Sequence, residues 1–293
     1  MSAYRFIAAE RANYSVALMC RVLGVSRSGY YGWSTRPPSK REVDDRSLSV
    51  RIREIHRDTR QAYGAPRITA ELRAEGISIS RKRVARLMRL QRLQGRHLRQ
   101  FKGPHTFTYV SIPDLLDRRF DPKAPDRVWA SDITYVPTAQ GWAFLAVVID
   151  LHSRRVVGWA TAAHMRTELA VGALEMAIGR RRPAPGLIHH SDHGAQFTSE
   201  AFAERTQRAG ISLSMGARRS AYDNAVVESF FATLKRERLL GERFLTRAHA
   251  RSAIAEWIEI FYNCRRRHST LGYLSPVEFE SREARTTGNR RVR

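Results

Sequence analysis

Between Val128 and Ala163, three strand-like runs follow one another with only short turns between them: VWASDITYVP, GWAFLAVVIDLHS and RRVVGWATAA. Each is rich in Val, Ile, Trp or Tyr, and turn signals at Gln140-Gly141 and His152-Ser153 separate them, so they predict an antiparallel meander. The texture then changes. TELAVGALEMAIGRR predicts a helix, LIHHSD a short strand, SEAFAERTQRAG a helix, ISLSM a strand and SAYDNAVVESFFATLKRE another helix. The order β-β-β-α-β-α-β-α admits few folds. Three antiparallel strands followed by βαβ units give a mixed α/β sheet covered by helices. A long helix, HARSAIAEWIEIFYNCRRR, comes later.

The first hundred residues read differently. SVALMCRVLGVSRSGYYGW (Ser15 to Trp33) predicts helix, tight turn, helix. Ala17, Leu18 and Val22 supply apolar spacing, Gly24 ends the first helix and Ser26 caps the second. STRPPSKREVDD (Ser34 to Asp45), with two prolines and many charges, reads as a linker. RITAELRAEGISISRKRVARLMRLQRLQ repeats the helix pair, with a break at Gly76 and a second helix from about Ser80. Val84, Leu87, Met88 and Leu90 form its apolar face. Arg81, Lys82, Arg83, Arg86, Arg89 and Arg92 supply the rest, and so dense a cationic helix repels itself unless phosphates lie against it. A helix pair of this kind can lay its second helix in the DNA major groove. A further change of texture falls at HLRQFKGPHTF (His97 to Phe107), where the main boundary is placed. The expected organisation is a helix-turn-helix-like segment at 1–35, a second, basic helix-turn-helix domain at 46–100, a core with C-terminal helices at 120–280 and a basic tail at 281–293.

Charge narrows the function classes. The chain carries 51 Lys and Arg against 28 Asp and Glu, a net charge of +23. Residues 1–110 hold 23 basic against 8 acidic residues, a surplus of 15 that is most of the total. A polyanionic partner is implied, and nucleic acid is the usual one. No apolar run reaches membrane-spanning length, and MSAYRFIAAERANYS has no uninterrupted apolar stretch of the secretory kind. Two cysteines, Cys20 and Cys264, exclude a disulfide scaffold and suit a cytoplasmic protein.

Three carboxylates then stand out. Asp132 lies inside an otherwise apolar strand, where an unpaired charge is costly. Asp192 follows the fourth strand in HHSDHGAQFTS, and Glu228 lies on the helix after the fifth. Asp192 also has the makings of an ordinary turn residue, and Glu228 of an exposed helix residue. Acids that converge without basic partners repel unless cations lie between them, and oxygen-only ligands favour Mg²⁺ or Mn²⁺ over zinc. Two such ions can clamp the attacking and leaving oxygens of a phosphoryl displacement. At 100° per residue, Asn224, Glu228 and Lys235 fall within about 40° of one another, beside the apolar stripe of Val227, Phe230, Phe231 and Leu234.

These residues carry a family resemblance. Fifty-nine residues separate Asp132 from Asp192 and 35 separate Asp192 from Glu228, with Lys235 seven beyond. With WASDITYV, HSDHGAQF, YDNAVVESFFATLK and YNCRRRHSTLGYLSPVEF, the chain resembles the DDE transposases of bacterial insertion sequences, specifically the OrfB product of the insertion-sequence-three family, a relative of retroviral integrases. The resemblance covers nearly the whole chain. It implies a ribonuclease H-like core in which Asp132, Asp192 and Glu228 bind two Mg²⁺ ions, and Lys235 contacts the element's end. Asn224 is placed against the same DNA. It also implies DNA-binding N-terminal helix pairs, an oligomer on DNA, and joining of this chain by frameshifting to the product of an upstream frame. ARRSAYDNA departs from the family pattern in lacking the glycine and proline that often precede Tyr-Asp-Asn. Asp150 reads as a turn or strand-end residue and Asp223 as a helix N-cap. His189, His190 and His193 crowd the second Asp in either a phosphate-touching or a structural role. Two other functions suit the same sequence: a metal-dependent nuclease or resolvase on this fold, which cuts without joining, and a regulator that binds DNA without catalysis.

Overall fold

The computed structural model describes residues 2–96, 115, 122–215 and 225–291. It divides into two compact units, Met1–Glu54 and Ile55–Arg293. The boundary expected at His97 to Phe107 lies outside the described residues.

The smaller unit holds α1 (Ala3–Glu10), α2 (Val16–Val22), α3 (Arg27–Thr35) and the start of α4 (Lys40–Asp58). Ser15 and Ser26 cap α2 and α3, their hydroxyls accepting from Leu18 N–H at 3.3 Å and Gly29 N–H at 2.9 Å. Gly24 turns the chain at φ +65°. The apolar face of α2 is not the expected one. Leu18 and Val22 are 47% and 75% exposed, while Met19 and Cys20 are buried with Ile7 and Tyr30. Val16, Met19 and Cys20 hold the i, i+3, i+4 spacing that meets α1 and α3, a register that Leu18 and Val22 also satisfy on the opposite side. The linker expected at Ser34 to Asp45 is also shorter. α3 runs to Thr35 and α4 begins at Lys40. Ser39 and Glu42 form a reciprocal capping box, Ser39 N–H donating to Glu42 at 2.8 Å and Glu42 N–H to the Ser39 hydroxyl at 3.2 Å, so the charged run after Pro38 is helical.

In the larger unit, α5 (Ala65–Ala74) and α6 (Arg81–Leu90) form the second helix pair. Gly76 turns at φ +84° and Ser80 caps α6 by accepting from Arg83 N–H. Val84, Leu87 and Met88 are buried as expected, but Leu90, the last residue of α6, is 70% exposed.

The five strands are β1 (Val128–Thr138), β2 (Gly141–Asp150), β3 (Val156–Ala162), β4 (Ile188–Ser191) and β5 (Ser212–Met215), in the order β3-β2-β1-β4-β5. β1, β2 and β3 pair antiparallel, while β4 runs parallel to β1 and β5 parallel to β4. This is the mixed sheet expected. α7 (Thr167–Arg181) and α8 (Glu200–Arg208) cover one face with Leu169, Ala173, Leu174 and Phe202. Gly158 of β3 allows α7 to approach, since a Cβ there would stand 2.1 Å from the Ala173 carbonyl oxygen. α9 (Ala225–Leu234) and α10 (Arg247–Glu256) cover the other face through Val227, Phe230, Phe231, Leu234 and Ile254. Each continues into a π-helical turn, Lys235–Leu239 and Trp257–Tyr262. Asn263 then exchanges two 2.9 Å hydrogen bonds with the backbone of Val156, closing part of the exposed side of β3. α11 (Pro276–Arg291) ends the described chain.

Candidate active site

Parallel pairing of β1 with β4 builds the site. Its register sets Val128 against Ile188, Trp129 against His189 and Ala130 against His190. Two residues further along each strand, the same register brings Asp132 beside Asp192, where β4 has ended and β1 continues. Ligands of α/β sheets bind at such carboxyl ends of strands. Two hydrogen bonds hold the register from within. The Ser131 hydroxyl and His189 Nε2 are 2.7 Å apart, and His190 Nδ1 and the Ser214 hydroxyl 3.0 Å apart, tying β1 to β4 and β4 to β5. Both imidazoles are buried. Burial, with His190 adding to it, pushes His189 down to about 3, so it is neutral. His189 and His190 are therefore structural; His193 is partly exposed.

Each acid has its own environment. Asp132 is half-buried on β1 and accepts a 2.7 Å bond from Ile133 N–H. Burial, then the Asp192 and Glu228 carboxylates, push it up to about 7 against the opposing Ile133 bond and Lys235. The four side chains thus meet electrostatically at Asp132. Asp192 is exposed, and its Oδ1 accepts from Gly194 N–H at 3.0 Å, so it also anchors its own turn. Glu228 is exposed in the first turn of α9, where the helix dipole favours a carboxylate. Among the described residues, no three His, Cys, Asp or Glu side chains stand close enough together to hold a metal ion. The carboxylates have the donor chemistry of a hard-cation site but do not form a closed ligand set as they stand.

Lys235 is exposed at the start of the π-helical turn, with its ammonium 5.4 Å from the centre of the Tyr135 ring. Tyr135 and Trp142, 55% and 51% exposed, meet edge to face at 4.9 Å. The pair was not anticipated from the sequence; its signal is two aromatics at diagonal positions of the β1–β2 hairpin, Tyr135 facing Phe144 and Trp142 facing Pro137. Asn224 and Asp223 lie outside the described residues, as does part of the departing ARRSAYDNA stretch.

Asp150 is fully buried at the end of β2 and accepts from the N–H groups of Asp126, His152 and Ser153 and from the Ser153 hydroxyl. It pins the β2–β3 turn and stands apart from the three acids. On α6, Arg81, Lys82 and Arg89 are exposed, whereas Arg83 and Arg86 are half-buried with partners in the protein.

A clamp not foreseen from the sequence anchors the far end of α9. Glu237, buried in the π-helical turn, receives Arg266 Nε and Nη2 at 2.8 Å each and Arg67 Nη1 at 3.3 Å. Arg267 grips Glu71 of α5 through two bonds of 3.1 and 3.0 Å, and its N–H donates to the Tyr63 hydroxyl at 2.9 Å. The second helix pair is thereby tied to the segment that carries Glu228 and Lys235. The run of arginines in RRRHS does not by itself mark Arg266 as the buried one.

Comparison with known proteins agrees with this architecture. Residues 122–221 and 209–276 match models of an integrase core domain, and residues 42–101 a model of an HTH-like domain. The chain is 41% identical over 285 residues to the transposase InsF for insertion sequence IS3A of Escherichia coli (strain K12), covering 95% of this chain and 98% of that one. It is 42% identical over 266 residues to an uncharacterized 31 kDa protein of insertion element IS600 from Shigella sonnei, covering 90% and 98%. Among solved structures, it overlaps the catalytic core domain of BIV integrase with 20% identity over 55% of this chain and 98% of that one, at a TM-score of 0.42. It overlaps a chain of the simian T-cell lymphotropic virus intasome with 14% identity over 78% and 74%, at 0.45.

Proposed function

The chain belongs to the IS3 family of insertion-sequence transposases, and from that premise we propose that Asp132, Asp192 and Glu228 form its DDE site and that Lys235 holds the DNA end beside them. It is a polynucleotidyl transferase with an integrase-type core. The observation that carries the assignment is the parallel β1–β4 register, which brings Asp132 and Asp192 to the same end of the sheet.

The donor set is all oxygen, and its mutual repulsion is what a divalent cation relieves, which suits two Mg²⁺ or Mn²⁺ ions. When bound, such ions activate the attacking oxygen and stabilise the leaving one. The chain's own residues do the placing. β1 and β4 carry Asp132 and Asp192 at neighbouring strand ends, α9 carries Glu228 in the covering layer, and the three carboxylates would draw together around bound cations. Lys235 lies close to two turns further on, near the same azimuth, so a strand whose scissile phosphate sits at the acids passes its ammonium. Water then attacks a phosphodiester at the element's end and exposes a 3′-OH. That 3′-OH attacks a phosphodiester of the recipient strand, with no covalent link to the protein. Positioning and charge stabilisation supply the rate.

The helix pairs at 1–35 and 46–100 bind element ends, with Arg81, Lys82, Arg83, Arg86 and Arg89 as phosphate contacts and Asn224 beside the acids. The chain acts as an oligomer on DNA, and in the resembled family it is often also made as a frameshift fusion with the product of an upstream frame. Among the described residues, no helix is long and apolar enough to cross a membrane.

The test is purified chain with Mg²⁺ and DNA carrying terminal repeats, scored for joined strands. A pre-cut end with a free 3′-OH should be joined by the wild-type chain, and at least about 100-fold more slowly by Glu228→Gln. Cutting without joining identifies a nuclease, and joining by Glu228→Gln at the wild-type rate removes Glu228 from the site.

A further inference from the structure

α9 has a second polar flank, turned away from Glu228 and Lys235. At 100° per residue, Ser229, Thr233 and Arg236 lie about 80–140° around the helix from Glu228. They border a cavity of about 350 Å³, within the range of about 300–1,000 Å³ usual for ligand sites.

Four guanidinium side chains from four separate segments line it: Arg67 of α5, Arg154 of the β2–β3 turn, Arg236 of the π-helical turn and Arg266 of the C-terminal segment. Among the described residues, no Asp or Glu lines it. Glu237 stands behind the wall and is shared. It pairs with Arg266 and Arg67, and Arg236 approaches the same carboxylate at 3.9 Å while donating to the Thr233 hydroxyl at 3.5 Å. One carboxylate thus serves three guanidiniums, and Arg154 adds a fourth to the wall. His268, also on the wall, registers the resulting field. Burial, then Arg266, Arg67 and Arg154, push it down to about 2, so its imidazole is neutral.

Like charges gathered around an opening raise the free energy of the empty site, and an anion there relieves it. Guanidinium forks match the oxygens of a phosphate in pairs, and the hydroxyls of Ser229 and Thr233 add neutral donors. We propose that this cavity is a second phosphate-binding site, and that it takes a backbone phosphate of DNA lying across the flank of α9 away from the catalytic carboxylates. The proposal rests on the chain's handling DNA, but not on which residues hold metal.

The test uses the full chain, inorganic phosphate and a duplex carrying the terminal repeat. Phosphate at matched ionic strength should raise the melting temperature of the wild-type chain above its value in chloride, as a ligand of the native state does. Arg236→Gln should lose that rise while melting normally in chloride, and Arg236→Lys should keep part of it. Arg154→Asn, which tolerates the φ of +61° at that turn, is the second variant should Arg236→Gln melt early. With DNA, either neutral variant should reduce the slope of log K against log salt by about 0.9, the loss of one phosphate contact. A phosphate-induced rise retained in both variants overturns the site. Loss of the rise with an unchanged salt slope overturns the DNA assignment and identifies free phosphate as what the cavity takes. Wild-type chain that passes both readouts but fails to join ends bears against the catalytic reading alone.

Discussion

The guanidinium of Arg266 meets the carboxylate of Glu237 through two bonds of 2.8 Å, with 4% and 1% of the two side chains exposed. Buried and bidentate, this pair fixes the far end of the helical segment that carries Glu228 in its first turn. Each partner is costly to leave alone in the interior. Glu237→Ala should therefore destabilise the chain by about 3–5 kcal/mol, whereas replacing both partners by apolar residues, as in Glu237→Leu with Arg266→Met, should recover a large part of that loss. Chemical denaturation at 25 °C measures both. A single variant as stable as wild type would show that the pair holds nothing.

Asp132 carries a conflict between function and stability. Its folded value is raised from the usual carboxylate range to about 7, so the folded state binds the proton more tightly than the unfolded chain. Stability contributed by the protonated group is present at low pH, falls as pH rises from about 4, and levels off above about 7. Asp132→Asn keeps an acceptor for Ile133 N–H and removes that fall. Without divalent metal at pH 8, the variant should melt at a higher temperature than wild type, and with metal it should join ends at least about 100-fold more slowly. A lower melting temperature at pH 8 would contradict the repulsion argued for this carboxylate.

Lys235 does not pair with Glu237, which is committed to Arg266. Its one described contact, over the exposed Tyr135 ring, is worth about 0.5–1 kcal/mol. Lys235→Ala should leave the melting temperature within a few degrees of wild type while weakening end joining strongly. Lys235→Arg should keep much of the activity, because a phosphate accepts either cation. Normal joining by Lys235→Ala removes the lysine from the DNA track.

On α6, the exposed cations are separable from the half-buried ones. Replacing Arg81, Lys82 and Arg89 together by Ala should leave folding intact. If each meets one phosphate, the salt slope of DNA binding should drop by about 2.7. An unchanged slope places the recognition surface elsewhere.

A histidine links the β2–β3 turn to the last helix. His152 Nε2 lies 2.5 Å from Glu283 and Nδ1 2.8 Å from the Pro122 carbonyl, two acceptors that only the imidazolium can serve together. Burial opposes the charge, but the Glu283 and Pro122 bonds prevail and raise its value above 6.5. Its stabilisation is fully present below about 6.5 and is lost as pH rises through the raised value. Glu283→Gln should flatten the fall in stability that sets in above about pH 6.5, as measured by melting temperature.

The sheet was legible in the chain because strand period, turn residues and the alternation of strands with helices all agree. The neighbourhood of Asp132 and Asp192 followed from strands that had to run parallel. Other features were not legible for specific physical reasons. On α2, Leu18 with Val22 and Val16 with Met19 and Cys20 both have helical spacing, and only the packing of α1 and α3 selects the second. The capping box Ser39–Glu42 was present in the sequence, but two prolines and a run of charges obscured it. Glu237 and Arg266 are separated by 29 positions, and in a run of three arginines no local pattern distinguishes the buried one from its neighbours.

The grip of Arg267 on Glu71, with Tyr63 and Arg67 beside it, has a consequence for anyone redirecting the protein to other ends. The second helix pair is not a detachable cassette. Grafting α5 and α6 from another transposase would bring a foreign seam against the residues that follow α10. A successful chimera must preserve Tyr63, Arg67 and Glu71 while varying the outward side of α6. Sequence in this helix pair is thus free to drift on its outward side while the inner side is held to the integrase-type core.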